Sequence, residues 1–335
     1  MGIECGTQAP ICDLPVRIDT YKGCTHNCKY CFVTRKSDIS KIGVSNCEKQ
    51  LLNFINKKRT RVTNWCDWDI PLHWGGVSDP FQPIEKKFRA SYKLLKIFAQ
   101  TKYPFVVSTK GKLIATDEYL NLLKQCNCVV QISMICDKYD KLEKGAPTYN
   151  ERLDMCRKVA PNCKRLIVRI QPYMTEVLND VIDNLPKLKE AGVYGITIEG
   201  MKFFRKIKGM ERLGGDFVYP LKRLLSDFTK IKMAAHKNGL KFYCAENRLR
   251  WFGDSLTCCG CGDLEGFRVN SFNLEHILNG DNVNPTEKMK DMNTGGCFRA
   301  LFQSTAIGDW IQNNSFYNLM TSKKIYDQQS KSIKG

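Results

Sequence analysis

Three cysteines within eight residues constrain this chain more than any other feature. They are Cys24, Cys28 and Cys31, in the stretch YKGCTHNCKYCF from Tyr21 to Phe32. Cys-x3-Cys-x2-Cys in a short loop holding Gly and Asn turns three thiolates onto one concave side. That arrangement suits an iron–sulfur cubane with one iron left without a protein ligand. Zinc is the rival, but a closed structural zinc site takes four ligands. The local candidate for the fourth, His26, lies between two of the cysteines and would strain to join the same tetrahedron.

The chain has 335 residues, enough for one large core or two modest ones. A hydrophobic content of 43% with 10% aromatics is that of a globular protein. No apolar run is long enough to span a membrane, and the first residues lack the basic and apolar regions of a signal peptide. The expectation is a cytoplasmic protein without membrane association. In that reducing compartment, 17 cysteines imply metal, catalysis or small buried hydrophobes rather than disulfides. Cys47, Cys66, Cys126, Cys128, Cys156 and Cys163 occur singly and read as packing residues. Cys5 and Cys12 fall on an irregular arm upstream of the triad.

The net charge of +18 favours a polyanionic partner, of which nucleic acid is the commonest. A Lys-rich proteome would give the same charge without one.

Periodicity beyond the arm alternates strands and helices. Strands are expected at Val16 to Thr20, Trp68 to Trp74, Phe105 to Ser108, Val129 to Ile135, Leu166 to Gln171, Gly195 to Glu199 and Lys241 to Ala245. Helices fall between them, including 46–56, 83–99, 116–125, 149–159, 177–191 and 219–238. This is the pattern of parallel βαβ units, whose ligand sites lie beyond the carboxyl ends of the strands. Three parts are expected: an N-terminal arm (1–14), an α/β barrel (15–247) and a cysteine-containing C-terminal extension (248–335).

The cysteine spacing, with Tyr30 just before the last thiol, resembles the signature of the radical S-adenosylmethionine (SAM) superfamily. The second strand ends in GGVSDPFQPIE (Gly75 to Glu85), which is similar to the spore photoproduct lyase-like branch. VVSTKGKLI (Val106 to Ile114), QISMI (Gln131 to Ile135), EKGAPTYNERL (Glu143 to Leu153) and RIQP (Arg169 to Pro172) are similar to pieces of that branch as well. The match runs from about residue 15 to 245.

The resemblance implies a partial (β/α)6 barrel of the TIM type. It also implies a [4Fe-4S] cluster on Cys24, Cys28 and Cys31, with SAM chelating the fourth iron. Tyr30 would lie near the adenine, and Gly75, Gly76, Ser78, Asp79, Lys110, Ser133 and Arg169 are the implied cofactor-binding set. Lys110 is the candidate for the SAM carboxylate. A low-potential donor such as flavodoxin or ferredoxin would supply the electron.

One departure separates the chain from spore photoproduct lyase. That enzyme returns a hydrogen atom from a cysteine two residues before the Ser of the second loop, where this chain has Gly76. The cofactor chemistry therefore carries over better than the substrate.

Two further stretches bear on function. Lys202 to Arg212, KFFRKIKGMER, follows the sixth strand and so belongs on the reactive rim, where basic residues beside Phe203 and Phe204 suit phosphate contact and base stacking. An amphipathic turn is its plainer reading. Cys258, Cys259 and Cys261 in TCCGCGD, with Cys297 in TGGCF, form a second group of thiols. Cys258 and Cys261 have ligand spacing, and Cys297 could close the set for an auxiliary iron–sulfur or zinc site; alternatively, one of Cys258, Cys259 and Cys261 is a hydrogen donor or relay approaching the barrel mouth, or the loop covers the mouth without metal. The expected substrate is a nucleic-acid base or nucleotide: DNA, RNA or a nucleotide-derived compound. A peptide or metabolite is the runner-up, and a non-catalytic metal-binding nucleic-acid-binding protein is the reading from another class.

Overall fold

In the computed structural model the described residues are 2–5, 12–35, 37–58, 60, 66, 69–213 and 216–268. Eight strands form the main sheet: β1 (Ile3–Cys5), β2 (Val16–Ile18), β3 (Leu72–Trp74), β4 (Phe105–Thr109), β5 (Cys128–Ser133), β6 (Arg165–Tyr173), β7 (Gly195–Gly200) and β8 (Lys241–Cys244). They lie side by side in chain order. β2 to β8 are parallel throughout, with Arg17 opposite His73, Ser133 opposite Arg169 and Thr197 opposite Tyr243. This seven-stranded parallel sheet is a partial barrel of the expected kind. The arm departs from the expected irregular chain, because β1 pairs antiparallel with β2 and Ile3 is buried. Three residues are too few for alternation to show in a sequence.

Six helices follow strands in turn: α1 (Cys47–Ile55), α2 (Ala90–Thr101), α3 (Asp117–Leu123), α4 (Tyr149–Val159), α5 (Leu178–Glu190) and α6 (Leu221–Lys237). The single helix expected over 83–99 is broken at Arg89, whose φ of 55° is left-handed, so a short helix at Glu85–Phe88 precedes α2. α4 opens on a capping box in which Thr148 and Glu151 satisfy each other's backbone groups. The helices bury Leu94, Phe98, Leu123, Val159, Leu185 and Phe228 against Val107, Val130, Val168 and Phe242 of the sheet. Cys47, Cys126, Cys128 and Cys156 sit in this layer as small apolar residues. Burial pushes the thiols of Cys47, Cys126 and Cys156 up to about 12, which keeps them protonated. Among the described residues no helix is long and apolar enough to cross a membrane.

Side chains of the opposite parity face the barrel interior in two layers. Val106, Val129, Ile167 and Tyr243, from the early parts of their strands, pack with Leu14, Cys259, Cys261 and Phe267. Above them His73, Ser108, Gln131 and Arg169 form a polar layer. Ser108 Oγ donates to Gln131 Oε1 (2.9 Å), while Arg169 Nη1 donates to Ser108 Oγ (2.8 Å). His73 Nε2 lies 2.9 Å from the same hydroxyl. Burial first, and then the charges of Arg169 and Arg17, push the His73 pKa down to about 3, so the imidazole is neutral. The hydroxyl proton of Ser108 goes to Gln131, so the neutral ring donates from Nε2.

Candidate active site at the strand carboxyl ends

The loop after β2 carries the thiol triad. Gly23, with φ of 78°, allows the turn, because a Cβ there would meet the carbonyls of Ile39 and Lys41 at 2.6 and 2.7 Å. Cys24, Cys28 and Cys31 are half-buried free thiols. Burial pushes the Cys24 and Cys28 thiols up to about 12 and about 11. Asp79 raises Cys24 further, whereas Lys110 opposes the rise at Cys28. Ligation must displace these protons, as it does for any thiolate ligand. Three free thiols with a Lys beside one of them fit a cubane with an open iron.

His26 does not turn toward the thiols. Its Nε2 lies 3.1 Å from Asp79 Oδ2, and its Nδ1 lies 2.9 Å from the carbonyl oxygen of Gly145. Asp79 is the anchor of the rim. Its carboxylate also accepts from Phe81 N, Thr109 Oγ1, Lys110 N and Gly111 N. One side chain thus joins the cluster loop to the turns after β3 and β4. Burial alone would raise its pKa, but the facing imidazole and these hydrogen bonds outweigh that and hold it at about 2.

A depressed folded-state pKa stabilises the fold above the unfolded value near 3.8. This contribution, about 2 kcal/mol, is complete above about pH 4 and disappears as pH falls toward 2. Asp79→Asn should therefore flatten the acid limb of a urea-stability profile between pH 4 and 2. An unchanged limb would show that Asp79 is not the residue responsible.

A second buried brace holds the other side of the loop. Glu143 pairs with Arg152, both side chains 1% exposed, and accepts from the Tyr30 hydroxyl. Arg152 also donates from Nη1 to the Ser133 carbonyl at 2.7 Å. Burial pushes the Glu143 carboxyl up and Arg152 opposes it. The Lys110 ammonium lies 3.9 Å from Glu143 Oε1 and 5.8 Å from the centre of the Tyr30 ring. Burial lowers its pKa, while Cys28 works in the other direction.

The expected cofactor set divides by place. Tyr30, Lys110 and Ser133 lie together on the rim, although Tyr30 and Lys110 already have protein partners. Gly75, with φ of 85°, brings the backbone so close to β4 that a Cβ would meet Ser108 O at 2.4 Å. A Cβ at Gly76 would meet Arg17 Cδ at 3.0 Å. Ser78 is buried and donates to the Tyr21 carbonyl at 2.7 Å, and Asp79 is saturated as described. Arg169 belongs to the interior polar layer and bonds Gln171 as well. The side chains of Ser78, Asp79 and Arg169 are thus engaged by the protein itself. Sequence reasoning missed the two braces. His26 and Asp79 are 53 residues apart by number, and the only available signal was the Thr-Lys-Gly turn at 109–111 that Asp79 caps.

The second group of thiols is not at the mouth. Arg165, which opens β6, donates from Nη1 to the Gly260 carbonyl (2.7 Å) and to Asp263 (2.6 Å). A Cβ at Gly260 would touch Ile167 and Tyr243 at 2.9 Å. Cys258, Cys259 and Cys261 therefore close the barrel floor, beneath the polar layer, where Gln131 Nε2 reaches the Cys259 carbonyl at 3.4 Å. The expected approach to the mouth fails because the chain after β8 doubles back along that strand, with Asp254 N donating to Phe242 O at 2.8 Å. The neighbouring Cys259 thiol pushes the Cys258 thiol down, against the effect of burial. Among the described residues no three His, Cys, Asp or Glu side chains converge on a site for a single metal ion. Cys297 lies outside the described residues.

These features define a partial α/β barrel that carries a loop of three half-buried thiols at the carboxyl ends of its parallel strands. The Radical SAM superfamily matches residues 18–203, more than half of the chain, and the protein belongs to that superfamily. Curated proteins of Mycobacterium tuberculosis and Mycobacterium bovis, each named an uncharacterized protein, are 23% identical over 214 residues. That alignment covers 58% of this chain and 62% of the relatives, so the chain spans less than two thirds of their length. Among solved structures, spore photoproduct lyase complexed with dinucleoside spore photoproduct superposes with a TM-score of 0.55 at 19% identity, covering 69% of this chain and 77% of that one. A variant of the same enzyme with bound AdoMet and the same ligand gives a TM-score of 0.52 at 18% identity, covering 69% and 76%. At this identity the likeness is one of fold.

Proposed function

We propose that this protein is an enzyme that uses a [4Fe-4S] cluster on Cys24, Cys28 and Cys31 to cleave SAM reductively, acting on a base or nucleotide of nucleic acid. The observation that carries the reading is the placement of three free, half-buried thiols on one loop at the carboxyl ends of the strands, with Lys110 near Cys28 and the Gly75 turn at the same end of the barrel. When bound, the cluster and SAM would supply the 5′-deoxyadenosyl radical that abstracts hydrogen. The chain's own residues bind and orient. Lys110, half-buried, would supply a cation for the SAM carboxylate, and Gly75, whose N donates to the Ile18 carbonyl at 3.1 Å, ties the turn after β3 to β2. The Asp79 and Glu143 braces fix the loop so that the reacting atoms stay aligned.

The substrate class is supported by the rim. Lys202–Phe203, Glu211–Leu213 and Asp216–Val218 make a small antiparallel sheet above β7. Its connecting loop carries Arg205, Lys206 and Lys208, with Phe204 39% and Ile207 36% exposed. Arg35, just beyond the cluster loop, stacks 4.3 Å over Phe204 and ion-pairs with Asp216 at 2.5 Å. An exposed aromatic flanked by cations beside the reactive end suits a single strand whose base is drawn into the barrel. Gly76, where spore photoproduct lyase has its thiol, supports a reaction other than efficient photodimer repair.

Reversal of Arg205, Lys206 and Lys208 to Glu should weaken binding of single-stranded RNA or DNA by roughly tenfold or more at 0.1 M salt. It should also cut the slope of log K against log salt by about two. An unchanged slope, or transfer of deuterium into 5′-deoxyadenosine from a labelled peptide and not from a labelled oligonucleotide, would overturn the substrate class.

A further inference from the structure

We propose that Arg35 is a clasp opened by the substrate strand: it joins the cluster loop to Asp216 and Phe204 across the barrel mouth, and a phosphodiester takes the place of Asp216 as the strand enters. The inference rests on the reading that the substrate is nucleic acid, and it names the contact that admits it.

The contact spans the mouth. Arg35 belongs to the loop after β2, whereas Phe204 and Asp216 belong to the segment after β7, and four strands of the main sheet lie between β2 and β7. The guanidinium stacks 4.3 Å over the Phe204 ring, and its Nη1 lies 2.5 Å from Asp216 Oδ1. Both ends are anchored. On one side Thr34 donates to the Cys31 carbonyl from its backbone N at 3.3 Å and from its hydroxyl at 2.7 Å, so the turn that presents Arg35 is fastened to the third thiol residue. On the other side Phe203 packs edge-on against buried Tyr219, with ring centroids 5.5 Å apart, while the next residue, Phe204, is 39% exposed. Lys202 ion-pairs with Glu199 at the end of β7, and Arg248 Nη1 lies 3.5 Å from Glu211. The small sheet is thus rooted in the barrel, and Arg35 ties the cluster loop to it.

Two features make this an exchangeable contact rather than a fixed brace. Its groups stand in solvent, with the side chains of Arg35 and Asp216 43% and 29% exposed. An exposed ion pair of this kind contributes little by itself, unlike the buried pair of Glu143 and Arg152. The charge around it is also one-sided. Arg205, Lys206 and Lys208 follow Phe204 directly, so a polyanion is drawn to the place where Asp216 is held. A guanidinium accepts a phosphate in the same forked geometry as a carboxylate, and a strand adds the release of counterions, which Asp216 does not supply. Once Arg35 turns from Asp216, the ring face it covers on Phe204 becomes available to a base. A bound phosphate then lies against a residue four positions from Cys31, which sets the strand over the cluster loop. A peptide without acidic groups carries nothing that performs this exchange.

The test is a double-mutant cycle on the reconstituted protein, with a single-stranded oligonucleotide as the probe and its dissociation constant read across a salt series. Asp216→Asn should tighten binding about threefold at ~0.1 M salt, because the strand no longer competes with a carboxylate for Arg35. Arg35→Gln should weaken it about fivefold and lower the slope of log K against log salt by about 0.7, the loss of one phosphate contact to a single strand. In the Arg35→Gln background Asp216→Asn should change nothing, whereas a general effect of removing a negative charge would persist there. Arg35→Lys, which keeps the charge and loses the planar fork, should retain the salt slope. Opposite signs for the two partners of one ion pair separate a clasp from a structural brace, whose loss moves both variants the same way. Weaker binding in both single variants, or a tightening by Asp216→Asn that survives without Arg35, would overturn the clasp and leave the nucleic-acid reading in place. A wild-type protein with no salt-dependent affinity for the oligonucleotide would remove that reading and the clasp with it.

Discussion

Replacing Cys28 by Ala should abolish both the cluster and SAM cleavage. Anaerobically reconstituted wild-type protein is expected to bind about four irons per chain on the triad and to release 5′-deoxyadenosine under a strong reductant. With one thiolate gone, two ligands on a half-exposed loop cannot hold a cubane that already leaves one iron to SAM. The fall should be to background rather than partial, since the loss is of the group that carries the chemistry. Folding should survive, because the triad is half-buried and the loop is held by His26, Asp79 and Glu143 instead. Iron content, the visible absorption of the cluster and 5′-deoxyadenosine release check the three parts separately. A wild-type protein that takes up only zinc and cleaves no SAM would remove the central claim.

The second large effect is expected at Arg152. Changing it to Met leaves Glu143 buried without its partner and should destabilise the protein by about 3–5 kcal/mol. The double variant Glu143→Leu/Arg152→Met should recover most of that, because two well-packed apolar groups replace a desolvated ion pair at little net cost. It should not recover function. Tyr30 loses the acceptor of its hydroxyl, and Lys110 loses the carboxylate beside it. Urea midpoints give the stability, and iron retained per chain after chelator challenge gives the state of the loop. A single-variant loss below about 1 kcal/mol would show that Glu143 simply takes up a proton when Arg152 is removed.

These expected effects differ in how visible they were beforehand. Cys28 is legible because local spacing alone puts three thiols on one short loop. The parallel strands are legible for a similar reason, since each buried segment announces itself by composition. Val16, Phe105, Gly195 and Lys241 all begin strands where the alternation placed them. Arg152 is not legible. On α4 it reads as one more surface charge, and only the fold turns it inward against a loop nine residues upstream.

The sequence by itself determined the kind of chemistry: a thiol triad after the first parallel strand, glycines after the next, and a basic segment after β7. These are local properties, fixed by residue type and by the order of strands along the chain. Only the tertiary structure decided what each polar side chain does. Asp79 braces His26 and the turn at Lys110 rather than projecting from the rim. Arg169 belongs to an interior layer with Ser108. Cys258, Cys259 and Cys261 close the floor of the barrel. The physical reason is the same in each case. A buried polar group must find partners, and those partners come from strands tens of residues away whose register is set by the packing of the whole sheet.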